Sequence, residues 1–120
     1  MNAYGAGAAT FDASGNITSA SDERLKNLTG TYTPGLAAIM QVNPITYRWN
    51  EKSGMETEHE YAGFSAQNVK AAMGDLAVGE DSKGYLTLQD RAILAALVNS
   101  VKELKAEIAA LKSFLSKGRV

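Results

Sequence analysis

From Gln89 to Ser116 the chain runs without a proline or a glycine. Leu94, Leu97, Val101, Leu104, Ile108, Leu111 and Leu115 recur through that run at alternating spacings of three and four. Apolar residues at positions a and d of a seven-residue repeat form a stripe along one side of a helix. A repeat that stays strict over several turns, without the drift of a straight helix, calls for helices wound about one another. The pattern therefore predicts a coiled-coil helix over residues 89–120, with those seven residues as its seam. With Leu94 at a, Glu107 falls at g and Lys112 at the following e, where they can pair between chains. Val101 and Ile108 at a with leucine at d lean toward a dimer, and Leu94 and Leu115 at a blur that lean. Ile93 at g and Val98 at e widen the apolar face near the helix start, as suits a larger bundle. The simpler alternative is an amphipathic helix packed on its own domain, which needs no strict repeat.

The remaining chain is shorter in every element. Residues 1–20 are rich in glycine and alanine. Thr10-Phe11-Asp12 and Asn16-Ile17-Thr18 read as two short strands around a Gly15 turn, either a remnant of fibre-like β-structure or a plain tail. Thr33 is placed to cap a short helix with Pro34 at its first position, and Pro44 ends that helix. Ile45 to Asn50 alternates, with Ile45, Tyr47 and Trp49 on one face, and predicts a half-buried strand whose aromatics enter the core. Residues 51–60 form a charged loop. Gly63, in the next strand, marks a close backbone approach or a bulge. Ser65 caps a helix burying Ala66, Val69, Ala72 and Met73. Leu76-Ala77-Val78 and Tyr85-Leu86-Thr87-Leu88 flank a Gly-bounded turn and read as a hairpin. The expected class is α+β: a small strand-and-helix globular part over 21–88, then a long C-terminal coiled-coil helix whose number of strands the residues alone leave open.

Composition excludes several functions. With no cysteine and a single histidine, neither a disulfide framework nor a Cys- or His-based metal site is expected, and no cofactor. A net charge of −1 without basic clusters gives no nucleic-acid footprint. No apolar run is long enough to span a membrane.

One segment reads as chemistry. Ser21-Asp22-Glu23-Arg24-Leu25-Lys26 places a serine and a lysine five residues apart. A serine hydroxyl needs a base to attack a carbonyl, and a lysine serves only when neutral, a state promoted by burial or a cationic neighbour. Arg24 is such a neighbour in sequence. On spacing alone the pair is weak, because Ser-Asp before Glu-Arg is also an ordinary helix cap with a charged first turn.

Four segments in order carry more weight: Ser21-Asp22-Glu23-Arg24-Leu25-Lys26; Pro44-Ile45-Thr46-Tyr47-Arg48-Trp49; Gly63-Phe64-Ser65-Ala66-Gln67; and Leu86-Thr87-Leu88 running into the Leu94–Leu104 helix. Together they resemble the C-terminal intramolecular chaperone domain of phage tail spikes and tail fibres, of the peptidase S74 type, over residues 21–115. The resemblance implies a homotrimer that aligns fibre chains during folding and then cuts itself off at Ala20–Ser21. Ser21 maps to the nucleophile of that family and Lys26 to its base. It also implies that the partners are two further copies and the preceding fibre region of the same polypeptide. The expected setting is the host cytoplasm during phage assembly, with the released fragment absent from the virion. The loop 51–60, with Met55 and His59, is a candidate grip on the fibre. The alternative is a non-catalytic trimerisation module or a receptor-binding fibre tip.

Overall fold

A computed structural model of the chain describes residues 10–11, 17–18 and 21–118. Its contacts divide it into two compact units, Met1–Thr31 and Tyr32–Val120. In the first unit, β1 (Thr10–Phe11) pairs antiparallel with β2 (Ile17–Thr18), Thr10 opposite Thr18 and Phe11 opposite Ile17. A 3₁₀ turn follows at Glu23–Leu25.

The second unit is α+β. In order it holds α1 (Leu36–Ile39), β3 (Ile45–Tyr47), β4 (Tyr61–Gly63), α2 (Ala66–Met73), a 3₁₀ turn at Asp75–Ala77, β5 (Val78–Glu80), β6 (Leu86–Leu88) and α3 (Asp90–Lys117). The strands make two separate antiparallel pairs. Ile45 faces Gly63 in β3–β4, and Val78 faces Leu88 in β5–β6. Ser65 caps α2 as its sequence position predicts, its Oγ accepting the Asn68 N–H at 3.3 Å. The Asn68 side chain then holds the chain after α1, donating to the Gln41 carbonyl at 3.0 Å and accepting the Asn43 N–H at 2.8 Å. The core is Val69, Met73, Ala77, Val78, Ile93 and Ala96, so α2, the 75–77 turn, β5 and the first turns of α3 meet there.

Four expectations need correction. The cap of α1 is not Thr33: Gly35 holds the cap position without a side-chain bond, and Glu103 of α3 accepts the Leu36 N–H at 2.6 Å instead. A long-range carboxylate thus replaces the local hydroxyl. Tyr47 and Trp49 are not core. Trp49 is 37% exposed, and Tyr47 packs edge-on against it at 5.2 Å and beside Tyr61 at 5.8 Å. A sheet of only two short strands leaves Ile45, Trp49 and Tyr61 exposed and Tyr47 half-buried. Tyr47 lies over Gly63, where a Cβ would come within 3.2 Å of its ring, so the close-approach reading of Gly63 holds. The hairpin begins two residues later than its apolar run suggests, because Leu76 and Ala77 belong to the 3₁₀ turn. Ile93 is buried against its own domain, so it does not widen a free face of α3.

Candidate functional site

The site segment is organised by one short turn. Asp22 sits in extended backbone at the cap of the Glu23–Leu25 turn, and its carboxylate accepts the Arg24 N–H at 2.8 Å. The Leu25 N–H donates to the Asp22 carbonyl and the Lys26 N–H to the Glu23 carbonyl, both at 3.0 Å. Sequence suggested a cap with a charged first turn, and that is what forms, with Asp22 rather than Ser21 as the capping side chain. Closing the turn brings residue 26 back toward residue 21. Lys26 Nζ donates a hydrogen bond to Ser21 Oγ at 2.7 Å.

Arg24, whose role the sequence left open, is directed to Asp22. Its Nε lies 3.1 Å from Oδ1 and its Nη2 2.9 Å from Oδ2. The Arg24 guanidinium, with the Arg24 N–H, holds the Asp22 carboxyl below its usual range, and Asp22 raises the guanidinium in turn. Its charge is partly cancelled by this carboxylate, so Arg24 is not an uncompensated cation beside Lys26. The pair is solvent-exposed, at 89% and 45% for the two side chains, and such pairs add little stability.

Residues 21–30 are all exposed. In this state the ammonium donates to the hydroxyl. A base would need the reverse, a neutral amine accepting the Ser21 proton. Ala20, on the other side of the expected scissile bond, lies outside the described residues. His59 is engaged in its own loop: its Nδ1 is 3.0 Å from Glu56 Oε2, while Glu56 also accepts the Glu58 and His59 N–H groups and the Tyr61 hydroxyl.

The helix stripe is the second element. Leu94, Leu97, Val101, Leu104, Ile108, Leu111 and Leu115 are between 42% and 66% exposed, whereas Ile93, Ala96 and Ser100 are at most 6% exposed. The seven seam residues are thus not the ones that dock the helix on its own domain. Phe114, at g beside the stripe, is 72% exposed and adds to it. Sequence reasoning did not single out Asn99 and Glu103. The Asn99 side chain donates to the Tyr32 and Pro34 carbonyls, each at 2.8 Å, and with Glu103 it latches residues 32–36 to α3. Their only sequence signal is polar residues opposite an a/d stripe, which an exposed helix face also shows.

Residues 21–78 match the model of the Peptidase_S74 family, described as chaperone of endosialidase. The chain is also similar to the long tail fiber protein Gp37 of Enterobacteria phage K3, at 33% identity over 103 residues. Its similarity to Gp37 of Enterobacteria phage T2 is the same, 33% over 103 residues. Each alignment covers 83% of this chain, and the chain spans only 8% of the length of either relative.

Proposed function

We propose that the chain, whose residues 21–78 match the chaperone-of-endosialidase family, is the self-releasing intramolecular chaperone of a phage tail fibre. The observation that carries this reading is the 2.7 Å contact of Lys26 Nζ with Ser21 Oγ at the start of the family segment. In the proposed reaction Lys26, once its amine is neutral, takes the Ser21 hydroxyl proton. Oγ bonds to the Ala20 carbonyl carbon, the Ala20–Ser21 C–N bond breaks, and the proton passes to the released Ser21 amine. Water then hydrolyses the Ala20 ester on Oγ, giving an Ala20 carboxylate and regenerating the serine hydroxyl. A lysine becomes neutral more readily when buried, so enclosure of Ser21 and Lys26 on assembly of the chain would trigger the cleavage.

The exposed a/d stripe supports a parallel trimer of α3 helices. Such a trimer holds the fibre chains together and raises their local concentration while slow, non-local strand pairing proceeds. Removing the chaperone afterwards leaves the fibre kinetically trapped. The partners are then two further copies and the preceding fibre region, in the host cytoplasm during assembly. Residues 1–20 are the end of the fibre, 21–88 the globular chaperone and 89–120 the trimer helix.

The exposure of Ser21 and Lys26 favours a second reading, a passive trimerisation or receptor-binding tip in which Asp22 is only a cap. Ser21→Ala and Lys26→Ala discriminate on a denaturing gel. A self-releasing chaperone yields a fragment beginning at Ser21 that both substitutions abolish. A passive module gives one full-length band in all three proteins.

A further inference from the structure

The proposed cleavage leaves the Asp22 carboxylate without a role. Two cationic side chains, Arg24 and Lys26, lie within five residues of the nucleophile, and they are not equivalent. An ammonium can lose a proton and become a base, while a guanidinium stays charged and only donates. A guanidinium seated on Ser21 Oγ would occupy the hydroxyl without activating it. Asp22 takes that group up. Its Oδ1 accepts Arg24 Nε at 3.1 Å, and its Oδ2 accepts Nη2 at 2.9 Å and Nε at 3.3 Å. The same Oδ1 accepts the Arg24 backbone N–H at 2.8 Å, so one carboxylate both caps the turn and holds the guanidinium. With the turn closed, it is Lys26 that reaches Ser21.

We propose that Asp22 is a positioning residue for the self-cleavage: it closes the turn and sequesters Arg24, so that Lys26 alone addresses the Ser21 hydroxyl. The inference rests on the self-cleavage reading. It goes beyond a plain helix cap, because an asparagine caps as well as an aspartate but holds a guanidinium less tightly.

The test is the time course of the fragment beginning at Ser21, followed by mass spectrometry on the full chain. The proteins are the native sequence, D22N, D22A, R24A and the double substitution D22N/R24A, with S21A as the uncleaved control. D22N keeps the cap and loses the charge, so it should slow cleavage about threefold, and D22A, which loses both, about tenfold. Removing the freed guanidinium should rescue the asparagine variant, bringing D22N/R24A to the rate of R24A alone. A D22N rate equal to the native one, or no recovery in D22N/R24A, overturns the positioning role and leaves self-cleavage standing. Absence of the Ser21 fragment from the native chain overturns the cleavage reading itself. Circular dichroism on each variant separates slowed chemistry from lost folding. D22N and R24A change only exposed side chains, which keeps the comparison decisive if D22A fails to fold.

Discussion

The two sides of α3 differ in what covers them. On one side Ile93, Ala96 and Ser100 are buried by the chain itself, and Asn99 and Glu103 fasten residues 32–36 to the helix. On the other side the stripe from Leu94 to Leu115 lies open. Beyond Glu103 every described residue of the helix is exposed. The contrast shows that two patterns can be superposed on one helix. A short buried one at 93, 96 and 100 serves the fold, and a long apolar heptad one stays exposed. Most helix stability in water comes from packing, and it is this exposed stripe that the proposed trimer would pack.

The strongest way to break this contrast is to charge the open side. Leu104→Asp with Ile108→Asp should abolish self-association, weakening it by more than about a hundredfold, because unpaired carboxylates cannot be buried in an apolar seam. The helical part near residues 90–100 should stay folded. Sedimentation equilibrium and circular dichroism read the two effects separately. The converse substitution is Ile93→Ala, on the docked side. It should cost about 3 kcal/mol of stability in denaturant titration without altering the stoichiometry of the folded protein.

Asn99→Ala sharpens the boundary between the two sides. It strips the side-chain donor from the Tyr32 and Pro34 carbonyls and should cost about 1–3 kcal/mol. Its signature is faster amide exchange at residues 36–39 than in the native protein. If Ile93→Ala dissociates the assembly while the charged pair leaves it intact, the assignment of sides is inverted.

The smallest effect lies away from both sides of the helix, in the loop 51–60. The His59 N–H and the Tyr61 hydroxyl hold the Glu56 carboxyl down at about 2. A carboxyl depressed in the folded state stabilises above its unfolded value near 4.5 and loses that contribution as pH falls toward 2. The loop contacts of Glu56 should therefore persist at pH 4 and be lost only on approaching pH 2. An NMR titration of Glu56 and Tyr61 checks this, and a midpoint near 4.5 would show that the contacts do not form in solution.

Local signals in the sequence were enough for α2 with its Ser65 cap and for the uninterrupted run of α3, because propensity, capping and periodicity agree there. They failed where a distant residue decides. Thr33 has the right chemistry for a cap, but Glu103, sixty-seven positions away from Leu36, supplies the acceptor. Ile93 has the right spacing to widen the seam, but the core claims it. Ile45, Tyr47 and Trp49 alternate as a buried strand does, yet a two-stranded sheet leaves their face open. In the site, spacing alone could not say whether Ser21 and Lys26 meet. The Asp22 cap and the 3₁₀ turn it starts are what bring them together. Only the ordered set of motifs, beyond any single pair, pointed to the family.

Native mass spectrometry of the full chain bears most directly on the central claim, since it reads cleavage and assembly in one spectrum. A self-releasing chaperone gives a trimer of fragments that each begin at Ser21, and Ser21→Ala gives a trimer of uncut chains. An uncut monomer from the native sequence, or cleavage that persists in Ser21→Ala, would contradict it.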